Sequence, residues 1–145
     1  MLKKLFLFFA ILMASVSGAM AQNCVGDYVG ELDTVKMNDK YYDAVENQEF
    51  KISDKMKLTG KVAKIGKMPG DINISLTVVE NGNSLTATGS TCGKLNVLGF
   101  IPIPLALSNF YGTIDGDNIE FTLECSGLYD GSPIKAHVHY KGKKQ

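Results

Sequence analysis

His137 and His139 are the two histidines of a 145-residue chain, and they are where its chemistry is best sought first. A spacing of two sets both rings on one side of a strand. Ile134, Ala136, Val138 and Tyr140 then occupy the other side, so the histidines face outward with Lys135 and Lys141. A hairpin turning at Asp130-Gly131 brings Glu124 opposite His137. Two imidazoles and a carboxylate on one face are the donors of a weak zinc or copper site, Glu124, His137 and His139. The same residues also make an ordinary solvated face carrying one cross-strand charge pair, and the flanking lysines repel a cation. The expectation is the charge pair, with no metal and no cofactor.

Cys24, Cys92 and Cys125 are an odd number for a fully bridged protein. Cys92 and Cys125 close strands that run in the same direction, which puts them near one rim, with Cys24 at the other. If a disulfide forms, Cys92–Cys125 is the favoured pair, although simple alternation turns Cys92 outward. Cys125 has no inward histidine to activate it as a nucleophile. The carboxylates are spread over outward positions, with no inward pair of the kind glycoside hydrolysis uses. Serines and threonines have no base beside them on the same face. Lys55, Lys57, Lys61, Lys64 and Lys67 read as a soluble basic face. The chain is expected not to be an enzyme.

The elements that carry these residues are strands. From Asp71 to Gly93, Ile72, Ile74, Leu76 and Val78 alternate with Asn73, Ser75 and Thr77, the period of a half-buried strand. Asn81-Gly82 supplies residues that tolerate positive φ, which predicts a tight turn with Val78 opposite Leu85 and Leu76 opposite Ala87. Earlier, Tyr28, Gly30 and Leu32 share one face of a first strand, Asn38-Asp39 turns the chain, and Phe50 and Ile52 point inward from a second. Ser53-Asp54 leads to a third strand with Leu58 and Val62, and KIGKMPG before Asp71 is a loop.

Between Cys92 and Pro104 the sequence is apolar and broken by Gly99, Pro102 and Pro104, which predicts a loop over one end of the core or an interaction patch. In the strand from Leu105 to Ile114, a bulge near Ser108 or Asn109 reconciles Leu105 and Leu107 with Phe110, Gly112 and Ile114. The last hairpin sets Cys125 opposite Ala136, Leu123 opposite Val138 and Phe121 opposite Tyr140. No stretch after residue 21 has helical periodicity. Seven or eight such strands joined by short hairpins make an all-β antiparallel barrel or sandwich, and closure removes the apolar edges that would otherwise aggregate.

Residues 1–21 read as an address: Lys3 and Lys4, an apolar run from Leu5 to Met13, and the small-x-small site Ala19-Met20-Ala21. The run is too short to span a bilayer comfortably. Ala21-Gln22-Asn23 before Cys24 does not resemble a lipobox, so no lipidation is expected. Cleavage would leave residues 22–145 as one domain, exported to the periplasm, cell surface or medium, with formal charge shifting from zero to −2. The chain has no arginine and no tryptophan. Near-neutrality without a guanidinium fork excludes a nucleic-acid footprint.

Gly26-Asp27-Tyr28-Val29-Gly30-Glu31-Leu32 after a signal peptide resembles the opening strand of the calycin-like domain proteins of Bacteroidetes. Met68-Pro69-Gly70-Asp71-Ile72 resembles their "GDI" strand, and Gly112-Thr113-Ile114-Asp115-Gly116 with Ile119-Glu120-Phe121 their closing half. The resemblance implies a single eight-stranded up-and-down barrel, preceded by a cleaved signal peptide, of the lipocalin, fatty-acid-binding and avidin kind. It implies no functional residue. Without tryptophan, neither the lipocalin Gly-x-Trp nor the tryptophans of a biotin site carry over, and without arginine or helices neither does a fatty-acid carboxylate clamp.

Two functions follow as expectations. The first is a binding module with a small apolar molecule inside or at the mouth of the barrel, lined by Tyr28, Phe50, Ile74, Leu76, Leu85, Phe121, Leu123 and Tyr140. Inward Gly30, Gly60, Ala87, Gly89 and Ala136 leave room for it, or serve as packing partners in a filled barrel. The second is a filled barrel that presents residues 95–107 to a protein partner or a second copy. A membrane barrel is disfavoured by lysine and glutamate on the outward faces and by a Lys-Lys-Gln end.

Overall fold

A computed structural model describes residues 23–145, and the expected signal segment lies outside the described residues. The described chain is all β and antiparallel. Its strands are β1 (Gly26–Met37), β2 (Lys40–Tyr42), β3 (Val45–Ile52), β4 (Lys57–Val62), β5 (Gly70–Asn81), β6 (Ser84–Thr88), β7 (Thr91–Val97), β8 (Ile101–Asp115), β9 (Asn118–Tyr129) and β10 (Ser132–Lys144). Each pairs with the next along the sheet, and β10 returns to pair with β1 from Tyr28↔Lys144 to Met37↔Ala136, so the hydrogen bonds close in a ring.

Ten strands stand where eight were expected, because two are interrupted. β2 and β3 both pair with β1, at Lys36↔Tyr41 and at Tyr28↔Phe50. β6 and β7 both pair with β5 and with β8, and the exposed Gly89-Ser90 bend separates them. The Ser90 carbonyl still accepts from Leu107 N–H at 2.8 Å, so the ladder to β8 runs on through the break.

Alternation settles which side chains enter the ring. β5 reads buried at Ile72, Ile74, Leu76 and Val78, and β9 at Ile119, Phe121, Leu123 and Cys125. The register of the last hairpin is the expected one, with Cys125↔Ala136, Leu123↔Val138 and Phe121↔Tyr140. Its turn at Asp130-Gly131 and that at Asn38-Asp39 take positive φ at both central residues, using residue types that tolerate it. The bulge in β8 is also present, between Leu107 and Asn109, and it is what lets Leu105 and Phe110 both be buried.

Three expectations are corrected. The β5–β6 turn lies one residue later, at Gly82-Asn83, so Val78 faces Ala87 and Glu80 faces Leu85. Gly82, with φ 64, supplies the positive angle at the first central position, which Asn81 does not need. Gly89 is not inward but exposed at the bend in front of β7. Residues 92–104 are not a loop: β7 and β8 pair from Gly93↔Leu105 to Val97↔Ile101, burying Leu95, Val97 and Ile103.

The connections divide into two ends. Turns at 38–39, 63–69, 98–100 and 130–131 lie at one end, tied by Asn38 N–H to Lys135 C=O at 2.9 Å and Leu98 N–H to Pro69 C=O at 3.1 Å. The turns at 53–56, 82–83 and 116–117 lie at the other, with both ends of the described chain: Lys144 N–H donates to Asp117 C=O at 2.7 Å.

Candidate functional site

The eight residues expected to line a ligand cavity all point into the ring, and there they fill one another's space. Tyr28, Leu85 and Tyr140 are 0 % exposed, and Phe50, Ile74, Leu76, Phe121 and Leu123 are at most 3 %. Phe50 meets Phe121 edge to face with centroids 5.1 Å apart and Tyr140 at 4.6 Å, and Phe121 lies 5.3 Å from Tyr140 and 5.4 Å from Phe110. Edge-on and tilted pairs at these separations are the favoured aromatic arrangement. Gly60, paired across from Phe50, occupies a place where a Cβ would run into that ring, so it is a packing partner rather than a vacancy.

The two interior hydroxyls are committed to backbone. Tyr28 donates to Cys24 C=O at 2.6 Å and Tyr140 to Gln48 C=O at 2.9 Å. Burial pushes the Tyr28 hydroxyl well above its ordinary value, and burial, helped by the Glu49 charge, pushes that of Tyr140 up to about 12.

On the outer wall the structure brings His137 and Glu124 together as expected, Nδ1 to Oε2 at 2.8 Å. His139 is not with them. It lies between β1 and β9, with Nδ1 2.6 Å from Asp33 and Nε2 2.8 Å from Glu120. His137 therefore faces one carboxylate and His139 two, all on neighbouring strands, and among the described residues no group of three potential ligands converges on a metal position.

A surface groove of about 630 Å³ runs past His137, Glu124, Lys36, Lys135, Ser108 and Ser126. The bulge brings Ser108 Oγ to 3.5 Å from Ser126 Oγ. The two serines thus share a face with a histidine, which simple alternation did not reveal. Among the described residues neither makes a hydrogen bond to His137, so the groove holds no assembled nucleophile and base.

All three cysteines are free and buried. Cys92 is 0 % exposed instead of outward, because a register shift between Thr91 and Gly93 rotates it into the core. It and Cys125 approach from either side of β8, Cys125 opposite Leu107 and Cys92 beside Leu105 and Ala106. The contact with Cys92, together with burial, holds the Cys125 thiol in its protonated form. At the far end, burial and then the Glu80 carboxylate push the Cys24 thiol up to about 12, and Glu80 accepts from Cys24 N–H at 3.1 Å. None of these thiols has the electropositive, open setting of a reactive cysteine.

Among the described residues, Val79 and Tyr111 are exposed on the outer wall, on either side of Thr86, and four more large apolar side chains are exposed at one end. Leu98 is 69 % exposed, Phe100 74 %, Leu128 67 % and Tyr41 67 %. All four belong to the end that carries the 38–39, 98–100 and 130–131 turns. Leu98 and Phe100 flank Gly99 at the tip between β7 and β8, where Phe100 N–H closes on Val97 C=O at 3.2 Å. Both central residues have positive φ, Leu98 at 57° and Gly99 at 84°. A turn of this hand asks for asparagine, aspartate or glycine at the position Leu98 holds. Leucine there is strained by about 1 kcal/mol, since its Cβ crowds the following carbonyl. The fold gains little from this side chain, which is mostly in water.

Comparison with protein-family models, with curated proteins and with solved structures returns no match, so the reading of this site rests on the chain's own residues. Among the described residues no helix is long and apolar enough to cross a membrane.

Proposed function

We propose that this chain is an exported, non-enzymatic eight-stranded up-and-down barrel of the calycin kind, whose interior is structural and whose turn end docks onto an apolar surface. The support is one contrast: the interior aromatics are at most 7 % exposed, while Leu98 and Phe100 are 69 % and 74 % exposed on a strained tip. Strain kept at an exposed apolar residue is the pattern of a position retained for use rather than for folding. The expected interaction segment, residues 95–107, thereby narrows to its turn, with Tyr41 and Leu128 added from neighbouring hairpins.

The other reading, a small apolar molecule held within the ring, needs roughly 300 Å³ or more of interior space. Native mass spectrometry of protein from its own cells separates the two. Docking at the turn end expects the bare mass of the chain, and a wild-type protein that fractionates with cell-envelope material while a folded L98N/F100N variant is released. A stoichiometric apolar adduct that survives the L98N/F100N change would favour the interior ligand instead.

A further inference from the structure

We infer that Cys24 and Met56 form a binding site for a soft monovalent metal ion of the Cu(I) class, at the end of the ring opposite Leu98 and Phe100. The inference is independent of the docking reading and uses none of its residues. Cys24 Sγ lies 4.0 Å from Met56 Sδ. At that separation, metal–sulfur bonds of about 2.3 Å let one ion bridge the pair at an angle of about 120°. A thiolate and a thioether are the soft ligands that select Cu(I). Two sulfurs do not satisfy zinc, which asks for four donors, nor calcium or magnesium, which ask for oxygen.

Both sulfurs are held in place by their own backbone. Cys24 is 0 % exposed although it precedes the first strand. Its N–H donates to Glu80 Oε1 at 3.1 Å, and its carbonyl accepts from the Tyr28 hydroxyl at 2.6 Å. The neighbouring Asn23 carbonyl accepts from Lys144 Nζ at 2.6 Å. Met56 ends the turn between β3 and β4 with φ 62°, a left-handed angle that costs a residue with a Cβ about 1 kcal/mol. Its N–H donates to Ser53 C=O and its C=O accepts from Val78 N–H, each at 2.9 Å. Glycine or asparagine would relieve the strain, but neither would bring a sulfur to Cys24. Ligands fixed in advance lose little freedom when an ion binds.

Glu80 supplies the proton acceptor. It follows Ile72, Ile74, Leu76 and Val78 on the inward face of β5, across from Leu85. Burial and then this carboxylate push the Cys24 thiol up to about 12, so without an ion it keeps its proton. An ion that takes the thiolate displaces that proton, which passes through the Glu80 carboxylate to water. No electron changes hands.

The test is Cu(I) added without oxygen to the reduced full chain, in competition with the chromogenic chelator bicinchoninate. The expected result is a Cu(I) that the chelator does not strip, with two sulfur neighbours at about 2.3 Å by X-ray absorption. Cys24→Ser should abolish this binding. Met56→Leu, which keeps the apolar bulk, should weaken it roughly tenfold or more, and Cys125→Ala should leave it unchanged. Chemical unfolding of the metal-free variants checks that each is folded; should Cys24→Ser not fold, Met56→Leu decides alone.

Three outcomes overturn the inference. Bicinchoninate strips all the copper from wild type; or copper stays on Cys24→Ser and leaves Cys125→Ala, which puts it on the interior thiols; or Met56→Leu binds as wild type does, which leaves the sulfur contact as packing alone.

Discussion

The ring interior and the turn end are made from the same residue types, leucine, phenylalanine and tyrosine, yet one is sealed and the other bare. Phe121 is 1 % exposed and Phe100 is 74 %. Inside, each apolar side chain faces another across the ring, and burying one is worth about 1.5–3 kcal/mol. At the tip between β7 and β8 no wall faces the side chain, so Leu98 keeps its backbone strain with little burial to offset it. The comparison teaches that apolar content alone does not mark the core; position relative to the ladder does.

The contrast can be broken most severely from the inside. Phe121→Ala removes the ring that touches Phe50, Phe110 and Tyr140, and should cost about 3–5 kcal/mol in chemical unfolding, a large part of a typical domain's stability. A loss below about 1 kcal/mol would mean that the interior is looser than its burial implies. Tyr140→Phe keeps the ring but removes the hydroxyl bonded to Gln48 C=O, an expected loss of about 1 kcal/mol at neutral pH.

The same tyrosine sharpens the contrast through pH. Its folded value of about 12 lies above the ordinary 10, so the folded chain keeps a proton that the unfolded chain loses. Its contribution is whole below pH 10 and falls as pH rises toward 12, by about 1.4 kcal/mol per pH unit. Unfolding midpoints measured across that window should drop less steeply in Tyr140→Phe than in wild type. At the bare end, Phe100→Asn should change stability by no more than about 0.5 kcal/mol by the same unfolding assay.

Much of this architecture is legible in the sequence because two signals agree wherever strands alternate cleanly. Asp130-Gly131 and the phase of Phe121, Leu123 and Cys125 jointly specify the last hairpin, and its register is the observed one. The bulge near Ser108 is legible because Leu105 and Phe110 cannot otherwise both face inward. What escapes is set by irregularity. The turn after β5 has Asn81, Gly82 and Asn83 to choose from, and alternation is indifferent to a slide of two residues across the pair. Cys92 escapes because its rotation comes from a bulge with no mark in its own residues.

The turn end was hidden for a different reason. Leu95, Val97, Leu98, Phe100, Ile101 and Ile103 form one apolar run in sequence, and only the ladder between β7 and β8 sorts the buried Leu95 and Ile103 from the exposed Leu98 and Phe100. Tyr41 and Leu128 join them through the ring, from hairpins distant in sequence. Likewise Asp33 and Glu120 meet His139 by strand pairing that no local spacing shows.

The central claim is that Leu98 is held against the interest of the fold, and equilibrium unfolding of Leu98→Asn tests it most directly. Asparagine suits the positive φ at that position, so the variant should be more stable than wild type by about 0.5–1 kcal/mol. A variant less stable than wild type by about 1 kcal/mol or more would show that Leu98 supports the fold, and the turn end would lose its claim to be the working surface.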